Sequence, residues 1–342
     1  MPVVSVVVPV RDDAARLAIA LDGLRASTLA DHEVIVVDDA STDSSARVAE
    51  EMGATVVRMP ARMGPAAARN RGAALARGRY LVFVDADVRV HAETLARAAA
   101  VLDGDPSVDA LFGSYDASPP APGAVSQYKN LLHHYMHQTG RGEAGTFWAG
   151  CGAIRREVFL AMGGFAAAAY PRPSIEDIEL GVRLTRGGRR VVLRPEIQAT
   201  HLKAWTFASV VRSDVLDRAI PWTRLVLEEG RLPDDLNLRA SQRLSGLLAC
   251  AAAAALAVAF WWPVALVAAL GALGGIAALN RGLYAFFARR RRPRFLLVAF
   301  PMHVLYYLYS TAAFAIGAAL HVLHRRPRPH VADVVAPASP LR

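Results

Sequence analysis

The sequence has little cysteine: only Cys151 and Cys250 occur in 342 residues. Two widely separated cysteines form neither a disulfide framework nor the paired spacing of a structural zinc site. Cys250 lies in an apolar run, where a thiol behaves as a small hydrophobic side chain. A disulfide-rich domain and a zinc-based fold are therefore excluded.

One common phosphate-binding pattern is also absent. The chain has no G-x-x-x-x-G-K-[ST], so the P-loop fingerprint is missing. Its G-x-G-x-x-G, at residues 140–145, lies outside the alternating strand and helix runs of residues 1–115, so it lacks the context of a dinucleotide fingerprint. The opening stretch "MPVVSVVVPVRDD" lacks the basic start of a signal peptide and soon reaches acidic residues. We expect it to be a first strand, and the first part of the chain to lie in the cytosol.

Charge is unevenly distributed along the chain. Residues 280–342 contain ten arginines and one acidic residue, whereas residues 1–279 carry 29 basic and 29 acidic groups. A nucleic-acid-binding domain usually has a basic face on its folded part. Here the excess positive charge flanks apolar segments, an arrangement that favours contact with anionic lipid headgroups. We therefore expect the chain to bind a membrane and not nucleic acid.

Residues 244–279 contain no charged residue. A single helix of that length would extend about 54 Å, whereas the hydrocarbon core of a bilayer is about 30 Å thick. The "WWP" at 261–263 suits the interfacial tip of a hairpin, and "ARRRRPR" at 288–294 suits a cytosolic flank. We expect two or three membrane passes, at about 245–261, 263–279 and 295–323.

These features predict a chain of four parts. They are a catalytic domain over 1–205, interfacial or linker helices over 206–243, transmembrane helices over 244–323 and a flexible tail over 324–342. Within residues 1–115, short β-branched runs alternate with helical stretches. That alternation predicts an α/β fold with a mostly parallel sheet and helices on both faces.

Acidic pairs end two of the predicted strands: Asp38 and Asp39 in "VIVVDDASTDSS", and Asp85 and Asp87 in "YLVFVDADVRV". Ligands bind at the carboxyl ends of strands in open α/β sheets. Four carboxylates there repel one another unless a cation lies between them. The oxygen ligands indicate Mg²⁺ or Mn²⁺ shared with substrate phosphates, whereas a lone D-x-D would fit a solvated turn equally well.

Several stretches together resemble family 2 glycosyltransferases of GT-A fold. They are "SVVVPVRDD", "EVIVVDDASTDSS", "GPAAARNRGAALARGRYLVFVDADV", "GTFWAGCGAIRREVF" and "SIEDIELGVRLTRGG", in the family's order over about residues 3–205. The resemblance implies a nucleoside-diphosphate sugar, with UDP or GDP, bound across the first half of the sheet.

The resemblance also implies site residues. The nucleotide-sugar contacts would be Pro9, Val10, Asp12, Asp39, Arg69, Asn70 and Asp85. Asp87 would be the main ligand of Mg²⁺ or Mn²⁺, with Asp85 and His201 as further ligands. The family often has an aromatic residue and an asparagine where this chain has Val10 and Arg11.

The stretch "IEDIEL" carries Glu176 and Asp177. A positioned carboxylate can remove the proton of an attacking hydroxyl, and Asp177 matches the family's base, with Glu176 supporting it or contacting the acceptor. One displacement assisted by Asp177 implies inversion at the anomeric carbon. His133 and His137 share one face of a predicted helix, where we expect packing and no metal.

The resulting hypothesis is a membrane-anchored, metal-dependent inverting glycosyltransferase. It would be an integral cell-membrane protein with a cytosolic catalytic domain, acting on a lipid or lipid-linked acceptor of the cell envelope. A sugar nucleotidyltransferase and a catalytically silent membrane scaffold are the alternatives. The product separates them: nucleoside diphosphate, pyrophosphate or neither.

Overall fold

The computed structural model describes residues 2–140, 142–230 and 239–323. The predicted tail, 324–342, lies outside the described residues, as does part of the predicted linker, 231–238.

One mixed sheet of eight strands organises the first two hundred residues. The strands are β1 (Val4–Val10), β2 (His32–Asp38), β3 (Thr55–Arg58), β4 (Tyr80–Val84), β5 (Val88–Val90), β6 (Ala110–Tyr115), β7 (Cys151–Arg155) and β8 (Val191–His201). They lie in the order β3-β2-β1-β4-β7-β6-β8-β5. β3, β2, β1 and β4 pair in parallel, as do β6 and β8, whereas β7 pairs antiparallel with both β4 and β6. The predicted α/β class is confirmed, with antiparallel insertions.

Thirteen α-helices accompany the strands within the described residues. They are α1 (Ala14–Arg25), α2 (Ser45–Glu51), α3 (Pro65–Leu75), α4 (Thr94–Gly104), α5 (Ala124–Gln138), α6 (Arg156–Ala161), α7 (Glu176–Arg186), α8 (Phe207–Arg212), α9 (Ile220–Glu229), α10 (Ala240–Val258), α11 (Ala265–Leu279), α12 (Arg281–Arg291) and α13 (Leu296–Leu323). A π-helical segment, Ser213–Ala219, joins α8 to α9, and a 3₁₀ turn, Pro293–Phe295, precedes α13.

Both faces of the sheet are buried, which explains why its strands are apolar runs without alternation. Successive side chains of a strand point to opposite faces. Val6 and Val8 of β1 pack in one core with Leu17 and other residues of α1 and α4. Val7 packs in a second core with Phe83 and residues of α3, α6 and α7. Helix layers therefore cover both sides, and the carboxyl ends of β1, β2 and β4 are brought to one edge.

A third core joins the α/β part to the C-terminal helices. Tyr128, Leu131 and Met136 of α5 pack against Tyr284 and Phe287 of α12 and against residues of α13. The predicted boundary near residue 205 therefore does not separate two independent cores. α5 is a catalytic-domain helix by sequence position and a member of the helical layer by packing.

The C-terminal helices differ in detail from the expected passes. α10 and the stretch 293–323 are long and apolar enough to cross a membrane. α11 has 15 residues, about 22 Å at 1.5 Å per residue, which is shorter than the hydrocarbon core. α11 and α12 together pass the same test, but they are bent by 73° at Asn280. The described residues thus hold two candidate spans, or three if this bent pair is one.

A polar network lies at that bend. Asn280 Nδ2 donates to Ser245 Oγ at 3.1 Å, and Asn280 Oδ1 accepts from the Tyr307 hydroxyl at 3.0 Å. Gln242 of α10 also bonds to both Asn280 and Tyr307. Because buried polar groups need partners, the network fixes α10, α11 and α13 relative to one another.

Gly181 generates a test of how α7 is seated. A Cβ at Gly181 would lie 2.0 Å from Phe147 N and 2.3 Å from the carbonyl carbon of Thr146. We expect Gly181→Ala to destabilise the fold by about 1–3 kcal/mol because the backbones must separate. Gly104→Ala is the control, since a Cβ there meets open space. Thermal unfolding of both variants in detergent checks this, and equal midpoints would contradict the close seating of α7.

Candidate functional site

A polar cavity of about 410 Å³ opens at the carboxyl edge of the sheet, and we call it the donor cavity. Most of the sequence-predicted site residues line it: Pro9, Val10, Asp39, Arg69, Asp85, Asp87, Glu176, Asp177 and His201. They come from β1, β2, β4, β8, α3, α7 and the turns that follow the strands. Strand ends together with α3 and the start of α7 therefore bring together residues up to 192 positions apart.

Two predicted contacts lie elsewhere. Asp12 is turned away from the cavity, and its carboxylate accepts hydrogen bonds from Thr42 N at 2.6 Å and Thr42 Oγ1 at 3.0 Å. The adjacent Arg11 and Asp13 line the cavity in its place.

Asn70 has a packing role. Its side chain donates to the Phe165 carbonyl at 2.8 Å and accepts from Phe165 N at 2.9 Å. The amide thereby ties α3 to the turn that follows α6. Arg69 and Asn70 both lie on α3, but the asparagine faces the protein and the preceding Arg69 faces the donor cavity.

Asp39 organises the loop that closes one side of the donor cavity. Its carboxylate accepts from Met63 N at 2.6 Å and from Gly64 N at 2.9 Å. Gly64 has φ 87°, and a Cβ there would lie 2.4 Å from the Pro171 carbonyl oxygen. Glycine is therefore required for this conformation and close approach. Arg11 also donates to the Asp39 carbonyl at 2.9 Å.

Arg69 bridges two acidic residues from distant parts of the chain. Nη2 lies 2.6 Å from Asp85 Oδ1, and Nη1 lies 2.8 Å from Glu176 Oε1. Burial acts to lower the pKa of Arg69, but the carboxylates of Asp85, Glu176 and Asp177 outweigh it and raise that pKa. The guanidinium therefore stays charged and holds the start of α7 against the end of β4.

Asp177 lies in the first turn of α7. Its Oδ2 accepts from Ala149 N at 3.0 Å, and its Oδ1 accepts from Ile178 N at 2.8 Å. Burial, followed by the neighbouring charge of Glu176, raises the pKa of Asp177 to about 6. A carboxylate held in this way is a stronger base than an exposed aspartate and is still ionised near neutral pH.

Asp87 and His201 face each other across the donor cavity. His201 Nε2 lies 3.6 Å from Asp87 Oδ2, and His201 Nδ1 is 2.6 Å from Asn130 Oδ1. In a neutral ring, an Nδ1–H bonded to that oxygen would leave the lone pair on Nε2. Burial acts to raise the pKa of Asp87, but His201, Lys203 and Arg16 together outweigh it, and the pKa lies below its ordinary value.

This pair has the donor set of a partial cation site. A carboxylate oxygen and an imidazole nitrogen are both metal ligands, and an outer hydrogen bond that orients the histidine is typical of such sites. Among the residues that the structure describes, no group of three or more His, Cys, Asp or Glu side chains is arranged to hold a metal. Asp85 is instead paired with Arg69. Asp87 and His201 alone fit a cation that takes its remaining ligands from a phosphate.

A second cavity of about 260 Å³ adjoins the first, and we call it the apolar cavity. Six residues line both cavities: Lys129, His133, Trp148, Ser174, Asp177 and Arg218. The far walls are formed by residues such as Leu132, Met136, Trp222, Val226 and Phe314 from α5, α9 and α13. Asp177 therefore stands at the junction of a polar and an apolar space.

Sequence reasoning missed this second cavity and most of its lining. His133 and His137 do pack together, with their Nε2 atoms 3.2 Å apart, but they do so on a cavity wall. Lys129, which lines this cavity, is one of only two lysines in the chain. That rarity was the one feature of the sequence that could have drawn attention to it. Its Nζ is paired with Asp214 Oδ1 at 2.5 Å.

Comparison with known proteins identifies the α/β part of the chain. Residues 5–163 match the model of "Glycosyl transferase family 2", so this part of the chain carries a domain of that family. An uncharacterized glycosyltransferase of Haemophilus influenzae is 27% identical over 53% of this chain and 61% of its own length. A PGL/p-HBAD biosynthesis glycosyltransferase of Mycobacterium tuberculosis is 32% identical over 33% of this chain and 46% of its own length. The chain thus spans about half to three-fifths of these curated relatives.

Solved structures support the fold. The mannosyltransferase PcManGT from Pyrobaculum calidifontis, in complex with GDP-Man and Mn²⁺, superposes with a TM-score of 0.60 at 21% identity, covering 92% of this chain and 87% of that one. S. aureus TarS 1–349 in complex with UDP-GlcNAc superposes with a TM-score of 0.50 at 19% identity, covering 93% and 92%. At these identities the likeness shows the fold, which confirms the predicted GT-A architecture and C-terminal helices.

The Arg69 bridge makes a prediction about stability. We expect Arg69→Met to lower the free energy of unfolding by about 3–5 kcal/mol because it leaves the buried Glu176 and the half-buried Asp85 without a counter-ion. Arg77→Met is the control, since Arg77 pairs with Glu33 on the surface, where an ion pair contributes at most about 1 kcal/mol. Thermal unfolding compares the two. Adding Glu176→Gln to Arg69→Met should recover part of the loss, and equal behaviour of the two single variants would contradict the bridge.

Proposed function

We propose that this chain is a membrane-anchored, inverting glycosyltransferase that moves a sugar from a nucleoside-diphosphate sugar to a lipid or lipid-linked acceptor at the cytosolic membrane face. The observation that carries the proposal is the position of Asp177. A half-buried carboxylate with a pKa of about 6 lies where a polar cavity meets an apolar one. Transfer between a polar donor and an apolar acceptor needs a base at such a junction.

The donor cavity suits a nucleoside diphosphate. Pro9, Val10 and Asp39 would contact the nucleoside, and Arg62 and Lys203 add positive charge to the lining. Cations in a partly buried cleft attract phosphates strongly. The neighbours bound to GDP-Man and UDP-GlcNAc support a UDP- or GDP-sugar as the donor.

We propose a divalent cation, Mg²⁺ or Mn²⁺, held by Asp87 and His201. The Mn²⁺ of the mannosyltransferase neighbour supports this assignment. The cation would neutralise charge that develops on the leaving diphosphate. Asp85 would act through its pair with Arg69, orienting that guanidinium, and would be a metal ligand only if that ion pair opened.

Asp177 would act as the general base. An acceptor hydroxyl oxygen attacks the anomeric carbon from the face opposite the leaving group and gives its proton to a carboxylate oxygen of Asp177. The new bond from the acceptor oxygen to the anomeric carbon forms as the bond from that carbon to the diphosphate oxygen breaks, and the nucleoside diphosphate leaves. One displacement inverts the configuration. Glu176 positions Arg69 and accepts from Ser174 N at 2.9 Å, so it supports the start of α7.

The acceptor is proposed to come from the membrane because α13, a candidate span, also forms a wall of the apolar cavity. Exposed apolar side chains on the same helical layer, such as Phe260, Trp261 and Leu297, suit contact with lipid. The mycobacterial relative named for PGL/p-HBAD biosynthesis supports a role in the cell envelope.

Removal of the base gives the first test of mechanism. We expect Asp177→Asn to lower kcat by about 10²–10⁴-fold with little change in donor affinity. Glu179→Gln is the control on the same helix, since Glu179 is paired with Arg183. In the unsubstituted enzyme, activity should fall as pH drops below about 6, because a protonated Asp177 cannot accept a proton. Loss of donor binding with kcat retained would assign Asp177 a different role.

Removal of the cation ligand gives the second test. We expect Asp87→Asn to abolish transfer and to remove the ability of Mn²⁺ or Mg²⁺ to restore activity after EDTA treatment. Asp22→Asn, at an exposed position on α1, is the control. Full activity of the unsubstituted enzyme in excess EDTA would rule out the metal.

Product analysis tests the function as a whole. The full chain in detergent is incubated with labelled UDP- and GDP-sugars and a membrane lipid extract, and the lipid phase is recovered. Release of nucleoside diphosphate with label in lipid supports the proposal. Release of pyrophosphate would indicate a nucleotidyltransferase, release of neither would indicate a scaffold, and label only in water-soluble products would reject the lipid acceptor.

A further inference from the structure

Arg218 is a cation without a partner at the junction of the two cavities. It lies in the π-helical segment Ser213–Ala219 and lines both spaces. Within residues 2–140, 142–230 and 239–323, its guanidinium makes no hydrogen bond and no ion pair within 4.0 Å. π-helical turns occur frequently at functional sites, and a half-buried guanidinium with no partner is costly unless a ligand supplies the anion.

The surrounding charges do not satisfy Arg218. Asp214 in the same segment is occupied by Lys129, and its second oxygen accepts from the Tyr309 hydroxyl at 2.8 Å. Burial holds the pKa values of His133 and His137 below their ordinary range, with the charge of Arg218 as a further cause. Both imidazoles are therefore neutral. Asp177 and Asp217 lie within electrostatic range of Arg218, but among the described residues neither forms an ion pair with its guanidinium.

The apolar cavity indicates which chemical group is attached to an anion bound by Arg218. Trp222 and Val226, one and two turns after Arg218, continue along the cavity wall, and Phe314 of α13 lies on the other side. An apolar chain that extends from a group bound at Arg218 would meet these side chains. At about 260 Å³ the cavity is smaller than a typical small-molecule pocket of about 300–1,000 Å³, so it holds a short segment of a longer chain.

From this arrangement we infer that the acceptor is an acidic amphiphile. Arg218 binds a phosphate group of the acceptor, the apolar cavity holds the first part of its hydrocarbon chain, and its reacting hydroxyl faces Asp177. This inference rests on the proposed glycosyl transfer and adds the charge and polarity that the acceptor must have. Arg218 is thus a specificity-determining residue for the acceptor.

Alkyl phosphates test the inference without turnover. The full chain in phosphatidylcholine nanodiscs is titrated calorimetrically with inorganic phosphate and with ethyl, butyl, hexyl and octyl phosphate, using empty discs as the blank. We expect affinity to rise roughly fourfold for each added methylene that the cavity buries and then to level off. Inorganic phosphate binding as tightly as octyl phosphate would overturn the apolar half of the inference.

Variants test the anionic half. We expect Arg218→Ala to weaken octyl phosphate binding by roughly tenfold or more, as for loss of a charged hydrogen bond, and Arg218→Lys to weaken it less. Arg212→Ala is the control, because Arg212 is exposed and lines neither cavity. Unchanged octyl phosphate affinity in Arg218→Ala would overturn the assignment.

Competition separates the acceptor site from the donor site. Saturating UDP or GDP should leave octyl phosphate bound, and displacement would place the anion of Arg218 in the donor cavity, against the inference. The titrations contain no sugar donor, so alkyl phosphate binding does not depend on transfer. A failure of the proposed function appears separately, as intact alkyl phosphate binding with no release of nucleoside diphosphate from donor.

Discussion

The guanidinium of Arg69, shared between Asp85 and Glu176, is the interaction on which the arrangement of the site depends. It connects three segments that are far apart in sequence: the start of α3, the end of β4 and the start of α7. The carboxylates of the buried Glu176 and the half-buried Asp85 would repel each other without it. Because Asp177 follows Glu176 directly, the bridge also sets where Asp177 stands. An ion pair between the protein's own side chains thereby fixes the position of the proposed base.

Other carboxylates around the donor cavity are also paired with groups of the protein. Asp39 accepts hydrogen bonds from two backbone N–H groups, and Asp177 accepts from two more. Asp87 differs, since its neighbour His201 is 3.6 Å away, too far for a hydrogen bond. The acids that are satisfied by protein groups are positioned rigidly, and the least satisfied one remains available to a ligand. Carboxylates that are hydrogen-bonded by the protein thus position the site, whereas a carboxylate without such bonds can bind a ligand.

The sequence predicted the features that depend on nearby residues, and it did not predict those that depend on long-range pairing or packing. Asp39, Asp85 and Asp87 could be placed at one edge because each ends an apolar strand, and parallel strands end together. Asp12 and Asn70 could not, because a single peptide decides whether a side chain faces the cavity or the protein, and neighbouring Arg11 and Arg69 face it instead. The sheet class was predictable, but the antiparallel β7 between β4 and β6 was not, since its position depends on long-range pairing. The length of the apolar segments predicted the helices, and only packing revealed that α11 is short and bent away from α12.

The apolar cavity was beyond sequence reasoning because its walls come from α5, α7, α9 and α13. It exists because α5 packs both on the sheet and on the C-terminal helices, so that the two parts of the chain enclose a space between them. That enclosure has a chemical consequence. Asp177 lies on the wall of this cavity, and burial is the largest cause of its raised pKa. By packing at this edge, the C-terminal helices supply an apolar wall beside the carboxylate that we propose as the base.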